Sequence, residues 1–257
     1  ETKYKTINKK MFCTKIDIAN LEYKEPQNNR SGGKVVHVST VPGSAEWKDR
    51  IRFQMSEDQS QNLQQAVWGL GTPLAGQDAS RRTLELSVES PALNDFLQKM
   101  DERNIKTAVE KSPNWFKKSV DEGAVTNMYV PLLKPPVKED AKATVRVKVK
   151  CGDYPTNIYV VDDVSDGKLS YHKGGPDDLA RNVKCMVMVE TVGLWFMSRQ
   201  FGMSLTATEI IVWPNRRASG IDAFTLSNDI QLHKNAEQNV IMSEQTEKFG
   251  NDEMDLA

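Results

Sequence analysis

Residues 144–150 read Thr144-Val145-Arg146-Val147-Lys148-Val149-Lys150. In a β-strand successive side chains point to opposite faces. Val145, Val147 and Val149 therefore line one face and ask for a core. Arg146, Lys148 and Lys150 line the other and put three positive charges on one flat surface, with no acid between them in the sequence. Such a surface suits a polyanion. Taken alone, it serves equally well against aggregation, because lysines on an exposed strand discourage edge-to-edge pairing.

Outward from this strand the second half of the chain reads as β. Residues 128–133 predict a strand interrupted by Pro131, since proline cannot donate to a ladder. Residues 134–142 are a Pro- and charge-rich loop. Further strands are expected at 157–161, 183–192 and 203–213, the last ended by Pro214, with a long loop over 162–182. Upstream, Ser90-Pro91 is a helix start, an N-cap followed by proline at the first helical position. Leu93, Phe96, Leu97 and Met100 follow as an apolar stripe best read as core. Ser112-Pro113 begins a shorter helix carrying Trp115, Phe116 and Val120, and after Gly123 the chain turns to β.

Nearer the N-terminus the signals are weaker. Residues 12–21 have room for a strand and 25–33 read as loop. Residues 34–41 predict a strand, with 51–55 as its hairpin partner. Ser56-Glu57-Asp58 looks like a helix start, with Leu63, Ala66 and Val67 at helical spacing. Gly69-Leu70-Gly71 ends that element and lacks the Lys-Ser/Thr pair of a phosphate loop. Residues 82–88 predict a short strand. The fold class is α+β, with an antiparallel β-barrel or sandwich as core.

The chain has 257 residues and a net charge of −1. That neutrality conceals an asymmetry. Residues 244–257 hold five acids and one base, so this tail's −4, set against the overall −1, leaves the body at +3. There is no run of about 18 apolar residues, so no membrane span is expected. The opening residues 1–10 are polar and lysine-rich, unlike a secretion signal, and the start on Glu1 rather than Met reads as trimming or processing. Three scattered cysteines, Cys13, Cys151 and Cys185, point to a reducing, intracellular setting rather than a disulfide framework. With His37, His172 and His233 also scattered, no metal or other cofactor is expected.

Catalysis finds little support. There is no Gly-x-Ser-x-Gly elbow, and the pairs Asp162-Asp163 and Asp177-Asp178 read as solvated turn acids. The protein is expected not to be an enzyme. Nucleic-acid binding fares better, because single-strand binders combine a cationic groove with aromatic platforms for bases. Candidate cations are Lys134, Arg146, Lys148, Lys150, Lys173, Arg199, Arg216 and Arg217. Candidate aromatic residues are Tyr129, Tyr154, Tyr159, Tyr171, Trp195, Phe196, Phe201 and Trp213, of which Tyr154, Tyr159 and Tyr171 are selected as contacts. Tyr154 and Tyr171 fall in expected loops beside Gly, Pro and Lys. Trp195 and Phe196 are adjacent, so in a strand they face opposite ways and at least one belongs to the core.

Gly193-Leu-Trp-Phe, followed by Phe201-Gly-Met-Ser-Leu-Thr-Ala-Thr-Glu-Ile-Ile-Val-Trp, carries a resemblance. With the Trp115-Phe116 helix, Gly71-Thr-Pro-Leu, Tyr129-Val-Pro-Leu-Leu-Lys and the Val-Arg-Val-Lys-Val strand, the chain resembles the single-stranded DNA-binding proteins of nucleocytoplasmic large DNA viruses. Those proteins are related to the single-strand-binding protein of short-tailed coliphages. The resemblance spans about residues 12–213. It implies an OB-like antiparallel β-barrel, taken as one domain over residues 1–217 with a helical insertion at about 90–122, and an acidic C-terminal tail; beyond Arg217 the periodicity fades, and 218–257 read as a flexible C-terminal segment. The resemblance also implies single-stranded DNA as partner in viral DNA replication, recombination and repair, in the cytoplasm or nucleus of an infected cell. Replication proteins would meet the acidic tail. The phage relatives end that tail in an aromatic residue, whereas this chain ends Met254-Asp-Leu-Ala, with Phe249 its nearest aromatic. The rival expectation is a structural or scaffolding protein of a large DNA virus, using the β domain for protein contacts.

Overall fold

Val145, Val147 and Val149 are fully buried, while Arg146 and Lys148 are exposed and Lys150 is half-buried. The alternation therefore reads as expected. In the computed structural model the described residues are 12–215, apart from 30–31, 42–48, 58–61, 74–78, 137, 140, 166–167 and 192. The chain divides after Asn215. Residues 216–257, with the acidic tail, Arg216 and Arg217, lie outside the described residues.

In chain order the first strands are β1 (Glu22–Tyr23), β2 (Gln27–Asn28), β3 (Lys34–Ser39), β4 (Ile51–Gln54), β5 (Gln64–Leu70) and β6 (Arg81–Ser87). Helices α1 (Pro91–Glu110), α2 (Ser112–Trp115) and α3 (Glu122–Met128) follow. Then come β7 (Tyr129–Val130), β8 (Leu133–Lys134), β9 (Thr144–Lys150), β10 (Asn157–Ser165) and β11 (Lys168–Lys173). The last are β12 (Lys184–Thr191), β13 (Gly193–Phe196), β14 (Phe201–Met203) and β15 (Leu205–Trp213).

Five of these strands close into a barrel. β5 pairs β6 and β6 pairs β9, both antiparallel, the latter over seven residue pairs from Arg81↔Lys150 to Ser87↔Thr144. β9 meets β15 in parallel at Leu205↔Val147 and Thr206↔Lys148. β15 pairs β12, and β12 returns to β5, both antiparallel. The ring is an OB-like barrel with the helices inserted between β6 and β9, so the architecture is α+β. A second sheet, in the order β1-β3-β13-β14-β7 with β2 on β3, is built around the excursion between β12 and β15. No described helix is long and apolar enough to cross a membrane.

α1 starts as its sequence predicts, with Ser90 Oγ accepting from the Leu93 amide and proline in the first turn. Its buried stripe, Leu93, Phe96, Leu97 and Met100, continues into Asn104 and Ala108. Phe96 meets Phe53 of β4 edge-on at 4.9 Å between ring centroids. The polar part of this face is a hydrogen-bond chain. Tyr23 Oη donates to Asn104 Oδ1 (2.7 Å), Asn104 Nδ2 donates to Tyr129 Oη (2.9 Å), and Tyr129 Oη donates to Asp101 Oδ1 (2.6 Å). The Leu132 and Leu133 amides also donate to the Asp101 carboxylate, at 3.0 and 3.1 Å. One helix thereby holds β1, β7 and the approach to β8, on both sides of Pro131.

Five expectations are corrected. Residues 64–70 form a strand, not a helix. The apolar spacing at Leu63, Ala66 and Val67 fits either period, and Val67 and Trp68 favour the pleated form. Gln64, fully buried, is satisfied by Ser56 Oγ and by the carbonyls of Met55 and Asn62. β4 does not pair with β3 as a hairpin; the residues flanking the two strands meet at the antiparallel Ser39–Arg50 bridge and through the Thr40 amide, which donates to the Asp49 carbonyl at 3.2 Å. β4 runs along β12, where the buried Glu190 carboxylate receives Arg52 Nε at 3.1 Å and lies 3.8 Å from Arg50. The expected loop over 162–182 contains the β10–β11 hairpin, with its bulge at Asp162-Asp163. The chain does not turn to β directly after Gly123: Asp121 caps the Ala124 amide at 2.9 Å and starts α3. Residues 13–15 make a 3-10 turn where strand was expected.

Gly193 carries φ +144°, and a Cβ there would lie 2.0 Å from the Val36 carbonyl oxygen of β3. Gly193→Ala is expected to lose at least about 2 kcal/mol, read as a lower urea midpoint, because backbone strain and the collision act together. Burial raises the pKa of Asp101 despite the hydrogen bonds from Tyr129, Leu132 and Leu133 that pull it down. A raised native pKa adds stability below the unfolded value, about 3.9, and that contribution is lost as pH rises through the native value. The stability difference between wild type and Asp101→Asn should therefore shrink as pH is raised from about 4. Asp101→Ala, which leaves three buried donors unpaired, should cost roughly 3 kcal/mol or more at any pH. Both follow from urea titrations at several pH values.

Candidate nucleic-acid interface

The barrel closes through only two β9–β15 residue pairs. Towards its N-terminal end β9 is met on that edge by β8 instead, at Leu133↔Val145 and Lys134↔Thr144. Around this junction lies a groove of about 650 Å³. Its floor includes Val147 and Leu205. The segment from Val130 to Pro135 lines it, as do Trp195, Phe196 and Met197 of the β13–β14 hairpin and Lys34 of β3. Lys134, Arg146 and Lys148 enter it from β8 and β9.

The hairpin separates its two aromatic residues as strand geometry requires. Phe196 packs inward, stacked on Phe201 at 5.3 Å and edge-on to Trp115 at 5.6 Å. Trp195 stands opposite Gly202 of β14 and is half-exposed. A Cβ on Gly202 would lie 3.1 Å from Trp195 Cζ2 and 2.7 Å from the Val130 carbonyl oxygen, so the missing side chain makes room for the indole. Met197 is 73% exposed beside it. A second hollow of about 680 Å³ adjoins the first through Gly33, Lys34, Phe196 and Met197, and Lys118 and Arg199 stand on its lining.

The cationic row of β9 is not uniform. Glu85 of β6 lies directly across from Arg146. Arg146 Nε and Lys134 Nζ each lie 3.3 Å from its carboxylate, and Thr144 Oγ1 donates to it at 2.9 Å. Burial alone would raise the Glu85 pKa, but these hydrogen bonds and the two positive charges outweigh it and hold the carboxyl below its ordinary value. The other end of the row differs. Arg81 of β6 lies opposite Lys150, and Thr83 lies opposite Lys148. Like charges placed directly across a ladder repel. Partial burial, then the positive charge of Arg81, lower the pKa of Lys148.

The sequence candidates thus fall into groups. Lys134, Arg146 and Lys148 are brought together in the groove, and Lys150 continues their row. Arg199 lies in the adjoining hollow. Tyr154, at φ +54°, is 91% exposed in the turn after β9. Tyr159 and Tyr171 are half-buried and meet edge-on at 5.2 Å across β10–β11, with Lys173 exposed opposite Tyr159. Tyr171 packs on an outer cluster of Val161, Leu169, Met186 and Ile211, away from the groove. Arg216 and Arg217 fall outside the described residues. Sequence reading did not select Lys34, Arg81 or Lys118. Arg81 was findable, one residue before the expected strand. Lys34 and Lys118 become neighbours only through the second sheet. Among the described residues no three His, Cys, Asp or Glu side chains are gathered as a metal site requires.

Comparison with solved structures finds distant likenesses. The crystal structure of gp2.5, a single-stranded DNA-binding protein encoded by bacteriophage T7, is 14% identical, covers 67% of this chain and 92% of its own, and has a TM-score of 0.40. The C-terminally truncated single-stranded DNA-binding protein of bacteriophage Enc34 is 8% identical, covering 77% of this chain and 98% of its own, at a TM-score of 0.39. The Enc34 protein in complex with single-stranded DNA gives 9% identity, the same coverages and a TM-score of 0.37. At these scores the fold rests on the strand order of the barrel itself. No curated protein matches the chain. A family described as a family of unknown function, DUF5871, matches residues 74–225, from the turn before β6 to beyond β15. That span takes in four of the five barrel strands, the helical insertion and more than half of the sequence, and the chain belongs to this family.

Proposed function

We propose that the protein binds single-stranded DNA without strong sequence preference, through the groove beside β9, in viral DNA replication, recombination and repair. One observation carries the reading: Lys34, Lys134, Arg146 and Lys148 share a groove with the half-exposed Trp195. The groove opens beside β6 and β9, the second and third barrel strands, the face on which OB barrels take oligonucleotides. Cations there would neutralise phosphates while the indole stacks on a base. Arg81 and Lys150, which repel each other across the ladder, would be relieved by a polyanion laid along them. The viral setting rests on the sequence resemblance to the proteins of large DNA viruses. Replication proteins remain the proposed partners of the acidic tail.

Binding of fluorescent oligo-dT at a series of salt concentrations tests the reading. Each neutralised phosphate of a single strand contributes about 0.7 to the slope of log K against log[salt]. Arg146→Ala with Lys148→Ala, which removes two phosphate contacts, should lower that slope by about 1.4 and weaken binding at low salt. Trp195→Ala should cost about 1–3 kcal/mol of affinity. A folded double variant with unchanged affinity and slope removes β9 from the site. Absence of wild-type binding at low salt favours the scaffold role instead. Glu85→Gln supplies the opposite sign: with the carboxylate gone, Lys134 and Arg146 are released, and oligo-dT should bind more tightly and with a steeper salt slope.

A further inference from the structure

Trp68 is 66% exposed on β5, an unusual place for the largest apolar side chain. The backbone puts it there. β5 pairs β6 at Ala66↔Leu86 and next at Leu70↔Leu84, so residues 67–69 bulge from the ladder. The bulge is fastened from its other side by residues 179–183. The Leu70 amide donates to the Leu179 carbonyl at 2.8 Å, the Asn182 amide to the Ala66 carbonyl at 2.7 Å, and the Ala66 amide to the Val183 carbonyl at 2.9 Å. Gly69 takes φ +77°, and a Cβ there would lie 2.9 Å from both the Arg181 nitrogen and the Leu179 oxygen. The fastening segment brings Arg181 over the indole, its guanidinium carbon 5.0 Å from the ring centroid. Arg181 is exposed, and no described carboxylate forms a salt bridge with it.

We propose that Trp68 and Arg181 form a second base-stacking station, taking a nucleotide of a single strand that runs from the β9 groove across β6 to β5. This rests on the function proposed above. An exposed indole beside a guanidinium is the chemistry that holds a base and its phosphate together. Neighbouring strands lie about 4.8 Å apart, so the station is about 10 Å from β9 around the outer wall. Glu85, half-buried and held by Lys134 and Arg146, lies directly between the bulge and Arg146, so the open path runs one step along β6, by way of Lys148 and the small, exposed Thr83.

The test compares oligo-dT of about 6 and about 16 nucleotides, within and near the upper end of the site sizes of one OB barrel. Trp68→Ala, at an exposed position, should leave thermal unfolding unchanged. It should weaken both roughly 5- to 100-fold, because even the shorter strand, at about 3.4 Å per nucleotide, spans the distance to the station, with Trp68→Phe recovering much of the loss. Arg181→Ala should lower the salt slope for both by about 0.7. If wild type binds both lengths and Trp68→Ala binds them equally well, the station is refuted while the groove stands. A protein ligand at Trp68 would give that same result. If wild type binds neither length, the function itself fails first.

Discussion

The β9–β15 pairing is the constraint on which the rest depends. It is the one parallel contact in the five-stranded ring, and it is only two residue pairs long. Antiparallel neighbours can be joined by tight turns, but a parallel contact needs a crossover. Here the crossover is long and carries β10 to β14. Because the seam is short, its surroundings are left to other elements. β8 takes one stretch of the free edge of β9, and the β13–β14 hairpin stands beside the start of β15. The groove is the space between these reinforcements, so the topology that closes the barrel also opens the site.

What holds those reinforcements is polar and buried. Asp101 accepts from Tyr129 and from two backbone amides on the far side of Pro131. Proline interrupts the ladder there, and the carboxylate satisfies the amides that follow it. The cost is a buried acid whose pKa burial pushes upward. In return Lys134 leaves the network in a fixed direction, towards Glu85.

Much of this was legible where the signal was local. The valine alternation of β9, the Ser90-Pro91 cap and the break at Pro131 needed only neighbouring residues. The reading failed where two periods fit the same letters, as at Leu63, Ala66 and Val67. It failed again where a single capping residue, Asp121, outweighed the glycine beside it. The β10–β11 hairpin was hidden because acids at the bulge resemble a loop, although Asp166-Gly167 is a hairpin dipeptide. For the site, Lys134, Arg146 and Lys148 could be chosen from charge and strand period. Glu85 could not, since it lies 61 residues from Arg146 and meets it only through the β6–β9 register. Tyr159 and Tyr171 showed the converse. Tyr171 packs on an outer cluster and Tyr159 meets it edge-on, a pairing that their charged neighbours in the sequence do not announce.

Glu85 has a further consequence. By holding Lys134 and Arg146 it keeps two long side chains ordered before any ligand arrives, and ordering such a side chain on binding otherwise costs about 0.5–1.5 kcal/mol. An anion bound as proposed would find its partners already aimed, but would first have to displace a resident carboxylate, and that competition outweighs the saving. Association would then be an exchange of one anion for another. The same carboxylate would stand ready to reclaim both cations when the visitor slips, so the proposed interface would carry its own means of letting go.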